Sequence, residues 1–178
     1  DRRADAVSPD DLSDILFTSG TTGKSKGVLA THRQTLTGSY GWGANAGLGP
    51  DDRYLMVNPY FHTFGYKAGI LPSVLFGVTM LPLAVYSPDQ AMKLVSDERA
   101  TVFPGAPTIF QTILDDPARA DHDLSSLRLV VTGAAIVPDT SSASGVRTRS
   151  GRSFMPVRSS LRGRRRDAAE AAHVAPVS

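Results

Sequence analysis

The sequence SDILFTSGTTGKSKGVLA, residues 13–30, decides the fold, because it places a glycine-rich segment between two short apolar runs. Residues 13–18 and 26–30 each have the length and composition of a β-strand, so the pattern predicts two strands joined by a loop. Residues 18–27 hold three glycines, two lysines and several hydroxyl side chains. We therefore expect a donor-rich loop held between two strands.

The residue types in this loop suit a polyphosphate. Glycines let backbone N–H groups converge on an oxyanion without obstruction from a Cβ atom, hydroxyl groups add donors, and lysine neutralises negative charge. A surface hairpin with ordinary polar side chains is the simpler alternative, but a hairpin does not require so many donors in so few residues. The loop is therefore interpreted as a phosphate-binding segment.

A Walker A loop is excluded by its spacing. That motif has four residues between its first glycine and the Gly-Lys pair, whereas only two residues separate Gly20 from Gly23. A helix also follows the Walker A lysine, but residues 26–30 have the pattern of a strand. A standard P-loop nucleotide triphosphatase is not expected.

Beyond the loop, short apolar runs alternate with longer amphipathic ones, which is typical of an α/β fold with a largely parallel sheet. Thr31 is a predicted N-cap, and Ser87 followed by Pro88 predicts a second helix start. Further strands are expected at 54–57, 78–81, 101–103 and 127–131, and helices at 31–41, 65–76, 87–96 and 106–114.

The composition changes after residue 140, which divides the chain into residues 1–140 and 141–178. The first part holds 11 basic and 15 acidic side chains, and the second holds eight arginines and two acids, so their net charges are −4 and +6. Large apolar residues are scattered too thinly through residues 141–178 to bury a core. We expect this Arg/Ser/Ala-rich segment to be a disordered basic tail.

Several classes of protein are not expected. The most apolar stretch, residues 68–85, is interrupted by glycine and proline and is too short to predict a membrane span. The chain has no cysteine, so it can have no disulfide framework, thiolate metal site or thiol nucleophile. A reducing compartment suits this composition, and the cytoplasm is the expected location.

Residues 18–28 resemble the AMP-binding signature of acyl-CoA synthetases, firefly luciferases and peptide-synthetase adenylation domains, with Ser25 where proline is common. Residues 58–65, 103–109 and 129–135 resemble further motifs of the same family, in the same order. The resemblance covers residues 10–139 and is similar in character to the actinobacterial fatty-acid or steroid-fragment CoA ligases. It implies part of the N-terminal large domain of an adenylate-forming ligase.

The resemblance implies that a carboxylic acid, whether fatty, aromatic or steroid-derived, reacts with ATP and Mg²⁺ and is then passed to coenzyme A. Lys26 would neutralise charge on pyrophosphate, and His62 would bind a phosphate or acyl oxygen. The residues implied at the nucleotide are Thr18, Ser19, Gly20, Thr21, Thr22, Gly23, Lys24, Lys26, Gly133, Ala134 and Ala135. Those implied at the acid are Phe61, His62, Phe64 and Gly65.

Some of these residues have simpler interpretations, which the sequence leaves open. His62 suits an ordinary turn after a strand, and residues 133–135 suit a plain tight turn. No motif in the sequence supports a functional role for Lys67 or Trp42. Lys67 is therefore interpreted as a surface charge and Trp42 as a residue of the packed core.

The family's later segments are not found in this sequence: the Thr-Glu segment that binds magnesium, the ribose-binding aspartate, the hinge and the C-terminal domain with its adenylation lysine. A frameshift in GC-rich coding DNA would produce the composition of residues 141–178. We therefore expect little or no turnover, since these groups act together. The alternatives are a nucleotide-binding remnant, such as a pseudogene product, and a nucleic-acid-binding protein that uses residues 147–166. No aromatic residues interleave with those arginines, so no specific nucleic acid is expected.

Overall fold

The computed structural model describes residues 5–18, 25–132 and 155–156. The chain divides into two compact units. The first unit comprises residues 1–48 and 58–77, and the second comprises residues 49–57 and 78–178.

The first unit begins with the predicted pair of strands. Strand β1 (Leu12–Thr18) pairs antiparallel with β2 (Lys26–Thr31). The two strands form a sheet of their own, separate from the parallel sheet of the second unit. The hairpin leaves the apolar side chains of Phe17 and Leu29 exposed, so apolar character in this segment does not indicate burial.

Helix α1 (His32–Asn45) starts where the sequence predicts, because Thr31 is its N-cap. The Thr31 hydroxyl accepts a hydrogen bond from the Gln34 backbone N–H, and the Gln34 side chain accepts one from the Thr31 N–H. This reciprocal capping box satisfies two of the donors that a helix leaves unpaired at its start. The chain therefore turns directly from β2 into α1.

The segment from residue 63 to residue 76 is helical, as predicted, but it is not a uniform α-helix. It consists of α2 (Thr63–Gly65), a π-helical turn (Tyr66–Ile70) and α3 (Leu71–Phe76). In the π turn, the Leu71 N–H bonds to the Tyr66 carbonyl, five residues earlier. Gly77 ends the segment with a φ of 69°, a left-handed conformation that glycine adopts without strain.

Close packing joins α1 to this helical segment. A Cβ atom on Gly43 would lie 2.3 Å from a ring carbon of Phe76, and the rings of Tyr40 and Phe76 stack with centroids 5.3 Å apart. Trp42 packs edge-on against Phe64, with ring centroids 6.1 Å apart. The packing of α1 against this segment therefore requires glycine at position 43.

The second unit is the parallel α/β part of the fold, and its sheet has the order β4-β3-β5-β6-β7 with every neighbouring pair parallel. Crossover helices connect parallel strands, which is why strands and helices alternate in the sequence. The elements are β3 (Arg53–Met56), β4 (Thr79–Pro82), α4 (Pro88–Glu98), β5 (Val102–Gly105), α5 (Pro107–Leu114), a 3₁₀ turn (Pro117–Asp121), β6 (Leu129–Thr132) and β7 (Met155–Pro156).

The core of the second unit lies between the strands and helices α4 and α5. Leu55, Met92 and Phe103 are almost completely buried there, and Phe103 packs against Phe110 with ring centroids 5.1 Å apart. Helix α4 begins at the predicted Ser87 cap, whose hydroxyl accepts a hydrogen bond from the Gln90 N–H. The prediction of an α/β fold is confirmed.

A polar clamp holds the first residues of three strands in the second unit. The Asp52 carboxylate accepts hydrogen bonds from both ends of the Arg128 guanidinium, with Nε 2.7 Å from Oδ1. It also accepts one from the Thr101 hydroxyl at 2.6 Å and one from the Gly49 N–H at 3.0 Å. Because these residues lie beside the starts of β3, β5 and β6, the clamp fixes the register of the three strands at the end where they begin.

Acid should weaken this clamp. Burial alone raises the pKa of Asp52, but hydrogen bonds from Arg128 and Thr101 and the charge of Arg128 lower it below its ordinary value of 3.8. A carboxyl whose folded pKa is depressed adds stability above its unfolded pKa and loses it as the pH falls through the folded value. We expect the urea concentration at the unfolding midpoint to decrease when the pH is lowered below about 4. Asp52→Asn should reduce the slope of the unfolding free energy against pH by up to about 1.4 kcal/mol per pH unit. An unchanged slope would contradict this assignment.

The predicted tail lies mostly outside the described residues. Residues 141–154 and 157–178 fall there, while Met155 and Pro156 pair with Val131 and Thr132 as a short parallel strand. The sequence did not predict that strand or the 3₁₀ turn. In the ranges that the structure describes, no helix is long and apolar enough to cross a membrane.

Candidate functional site

The base of the predicted phosphate loop is the end of the β1–β2 hairpin at which the two strands are connected. Thr18 and Lys26 face each other there as the last paired residues, and the Thr18 hydroxyl lies 3.4 Å from the Lys26 carbonyl. Both side chains are exposed. In the part of the chain that the structure describes, Lys26 makes no ion pair.

Several predicted nucleotide-binding residues lie outside the described residues. These are Ser19, Gly20, Thr21, Thr22, Gly23 and Lys24 in the loop, and Gly133, Ala134 and Ala135 after β6. The structure describes the strands that lead to them: β1 ends at Thr18, β2 begins at Lys26 and β6 ends at Thr132.

His62 caps the helical segment of the first unit with its own ring. Its Nδ1 accepts a hydrogen bond from the Phe64 N–H at 3.2 Å, and its backbone carbonyl accepts one from the Tyr66 N–H at 2.9 Å. A neutral imidazole that accepts at Nδ1 carries its proton on Nε2. The exposed His62 side chain therefore presents an N–H donor, which suits a phosphate or carboxylate oxygen.

Gly65 is present because the backbone passes too close for any side chain. A Cβ atom there would lie 2.2 Å from the Pro59 carbonyl oxygen and 2.8 Å from that of Asn58. Its φ of −70° is ordinary, so close approach and not backbone conformation requires the glycine. Gly65 fixes the turn that carries Phe61 and His62.

The two aromatic residues implied at the acid differ in their surroundings. Phe61 is 86% exposed and can contact a ligand, whereas Phe64 is partly buried and packs against Trp42. The interpretation of Trp42 as a packing residue agrees with that contact. Its indole Nε1 is buried and has no hydrogen-bond partner in the described part of the chain.

The interpretation of Lys67 as a surface charge is wrong. Its Nζ lies 2.9 Å from Asp14 Oδ1 on β1 and donates a hydrogen bond at 2.9 Å to the Thr35 hydroxyl on α1. Thr35 in turn donates to Asp14 Oδ2 at 2.6 Å. The side chains of Asp14 and Lys67 are only 12% and 20% exposed, so this is a largely buried cluster inside the first unit.

The electrostatics of this cluster favour the ion pair. Burial raises the pKa of Asp14, but hydrogen bonds from Thr35 and Lys67 and the charge of Lys67 outweigh it and hold that pKa below its ordinary value. The Asp14 carboxylate is therefore ionised at neutral pH.

These features define the class of protein: an α/β protein in which a glycine- and lysine-rich sequence connects two antiparallel strands. The family model for AMP-binding enzymes matches residues 1–149, and the chain belongs to that family. The resemblance to acyl-CoA synthetases seen in the sequence is thereby confirmed.

One curated relative is identical to this chain at more than half of the aligned positions. The chain is 59% identical over 138 residues to 3-[(3aS,4S,7aS)-7a-methyl-1,5-dioxo-octahydro-1H-inden-4-yl]propanoyl:CoA ligase from Rhodococcus jostii, which covers 78% of this chain and 27% of the relative. The chain therefore spans about a quarter of the length of that relative.

Solved structures share the fold. The inhibitor-bound N-terminal domain of FACL13 from Mycobacterium tuberculosis is 29% identical with a TM-score of 0.70, over 75% of this chain and 33% of that one. ATP-bound MatB from Rhodopseudomonas palustris is 31% identical with a TM-score of 0.69, over 76% of this chain and 27% of that one. The prediction of part of the large N-terminal domain of an adenylate-forming ligase is confirmed.

Proposed function

We propose that the chain supplies the phosphate-binding and part of the acyl-binding region of an ATP-dependent acid–CoA ligase that acts in the cytoplasm. The observation that carries the proposal is the exposed Lys26, which pairs with Thr18 where β1 and β2 meet the signature loop and makes no ion pair with any residue that the structure describes. The match to AMP-binding enzymes and the likeness to an ATP-bound structure support it.

In the proposed reaction, a carboxylate oxygen attacks the α-phosphorus of ATP. The bond from that phosphorus to the bridging oxygen breaks, and pyrophosphate leaves with the electron pair. The thiol sulfur of coenzyme A then attacks the acyl carbon, loses its proton and displaces AMP. Lys26 would neutralise the charge that develops on pyrophosphate, and the Nε2–H of His62 would hydrogen-bond a phosphate or acyl oxygen.

Magnesium would accompany the phosphates of ATP. In the ranges that the structure describes, no group of three or more His, Asp or Glu side chains could hold a metal ion. We therefore derive no step through the metal from this chain. Its described residues act on the nucleotide by charge and hydrogen bonding.

The substrate class follows from the 59% identical relative, whose name specifies a bicyclic propanoate with two keto groups. We propose a carboxylic acid of this steroid-derived kind, with fatty and aromatic acids as the other candidates. The exposed ring of Phe61 suits an apolar acyl group, since aromatic side chains commonly line such sites.

We propose further that residues 1–178 bind nucleotide without completing the reaction. The magnesium-binding Thr-Glu segment, the ribose-binding aspartate and the adenylation lysine of the family are not found among them. Groups that surround one transition state act together, so the loss of several removes most of the rate enhancement. A frameshift within residues 141–178 would explain the change in composition, and residues 1–178 by themselves would then bind nucleotide without catalysis.

The Lys26→Ala variant tests the nucleotide site. A charged hydrogen bond to phosphate contributes about 1.5–3 kcal/mol, so the dissociation constant of MgATP should rise roughly tenfold to a hundredfold. The measurement is calorimetric titration of residues 1–178. Lys93→Ala is the matched control, because Lys93 is an exposed lysine in the second unit whose partner is Asp97. It should leave the affinity unchanged.

ATP–pyrophosphate exchange with a panel of carboxylic acids separates binding from catalysis. We expect MgATP binding without exchange in the wild-type chain. Exchange that depends on an acid and is lost in Lys26→Ala would overturn the proposal of an inactive remnant. Equal MgATP affinity in the wild type and in Lys26→Ala would overturn the assignment of Lys26.

A further inference from the structure

Asp14, Thr35 and Lys67, here called the buried triad, connect three elements of the first unit. Asp14 lies on β1, Thr35 on α1 and Lys67 on the π turn. Lys67 donates to Thr35, Thr35 donates to Asp14, and the Lys67 ammonium lies 2.9 Å from the Asp14 carboxylate. Each of the three side chains therefore contacts the other two.

Stability alone is a weak reason for such a triad. Removing two charges from water has a desolvation penalty that their attraction often does not exceed, and apolar side chains of similar volume commonly stabilise a fold equally well. What an apolar pair lacks is direction, because hydrogen bonds and a charge contact fix both distance and orientation. The triad is suited to holding three elements in one arrangement.

The three elements carry or directly follow the described parts of the candidate site. Asp14 lies four residues before Thr18 on β1, the strand that leads into the phosphate loop. Thr35 lies in the first turns of α1, which follows β2 directly. Lys67 lies two residues after Gly65, in the helical segment that His62 caps. The triad thus connects the strand entering the loop to the segment that presents His62.

Lys67 lies inside the π turn. The hydrogen bond that closes this turn spans five residues instead of four, so the turn is wider than one of an α-helix. Such turns are rare and frequently lie at functional sites. In this chain the turn begins immediately after the close-packed Gly65, and Lys67 is its second residue.

We propose that Asp14, Thr35 and Lys67 are positioning residues, which hold the phosphate-binding hairpin and the His62 segment in the arrangement that binds MgATP. This inference rests on the proposed nucleotide site. We assign Lys67 an indirect role, through Asp14 and Thr35, because its Nζ contacts both of them and its side chain is only 20% exposed.

The decisive variant is the double replacement Asp14→Leu with Lys67→Met, which removes both charges but keeps similar volume. No unpaired charge remains buried, and only the Thr35 hydroxyl loses its partners, so we expect its thermal midpoint to stay close to that of the wild type. We expect its MgATP dissociation constant to rise at least tenfold. Lys67→Arg, which keeps the charge, should restore most of the affinity relative to the double variant.

Lys93→Met with Asp97→Leu is the matched control. It makes the same chemical change at an exposed ion pair on α4, in the second unit, and it should leave MgATP affinity unchanged. A wild-type affinity in the Asp14/Lys67 double variant, at undiminished stability, would show that the triad is structural only and would overturn the proposal.

Hydrogen exchange of the nucleotide-free chain separates this inference from the nucleotide site itself. We expect amides of β1, β2 and Phe64 to exchange at least tenfold faster in the double variant, with amides of β5 and β6 unchanged. If the wild type binds no MgATP, the proposed nucleotide site fails and exchange alone decides whether the triad fixes these elements. Unchanged exchange at β1, β2 and Phe64 would overturn that part as well.

Discussion

Asp52→Ala is expected to lower the free energy of unfolding by about 3 kcal/mol, because it removes one partner of a largely buried ion pair. The Asp52 side chain is 9% exposed, and Arg128, Thr101 and Gly49 all donate hydrogen bonds to it. The Arg128 side chain is 32% exposed, so solvent screens part of the lost attraction and places the loss at the lower end of the range for buried pairs.

Urea unfolding followed by circular dichroism measures this effect. With an m-value of about 2 kcal/mol per molar, the midpoint should fall by roughly 1.5 M. Asp51→Ala is the matched control, since it removes the same charge from the neighbouring exposed position and should stay within about 0.5 kcal/mol of the wild type. Equal shifts in the two variants would mean that the effect is one of net charge and not of the clamp.

Local sequence rules predicted the parts of the fold that depend on near neighbours. A glycine-rich segment between two short apolar runs predicted two strands joined by a loop, although not their antiparallel pairing in a separate sheet, and Thr31 and Ser87 predicted the starts of α1 and α4. The alternation of strands and helices predicted the parallel sheet. These features follow from hydrogen bonds and dihedral preferences within a few residues, which a sequence displays directly.

The buried triad and the Asp52 clamp could not be predicted in the same way, because their partners are distant in the sequence. Asp52 and Arg128 are 76 residues apart, and their pairing depends on the order of strands in the sheet. The position of Lys67 also depends on the π turn, which hydrophobic periodicity does not reveal.

A signal for the triad was nevertheless present in the sequence. Asp14 interrupts the apolar run of β1, and Lys67 is the charged residue of a helical segment rich in small and apolar side chains. A charge within an element that is otherwise suited to burial is expected to have a partner of opposite sign. The ion pair in the structure could therefore have been inferred from these two charges, although the sequence analysis interpreted Lys67 as a surface charge.

Gly65→Ala is expected to disrupt the turn that carries Phe61 and His62. The new methyl group would lie 2.2 Å from the Pro59 carbonyl oxygen and 2.6 Å from its carbon, and these backbone atoms cannot move as a flexible side chain does. Overpacking by one methyl group typically destabilises by 1–3 kcal/mol, and a backbone clash of this kind should cost about 3 kcal/mol. The His62 N–H would also lose its hydrogen bond to the Pro59 carbonyl.

Gly38→Ala is the matched control for Gly65→Ala. It is the same change in the same unit, in helix α1, but nothing lies within 4 Å of the added Cβ, so it should stabilise the chain by about 0.5–1 kcal/mol. Trp42 is the one tryptophan of the sequence and packs on Phe64, so its fluorescence reports on the altered segment. We expect a red shift in Gly65→Ala and none in Gly38→Ala. If both variants kept the wild-type emission and stability, the turn would tolerate a side chain at position 65, and the presentation of His62 would not depend on the close approach of Gly65 to Pro59.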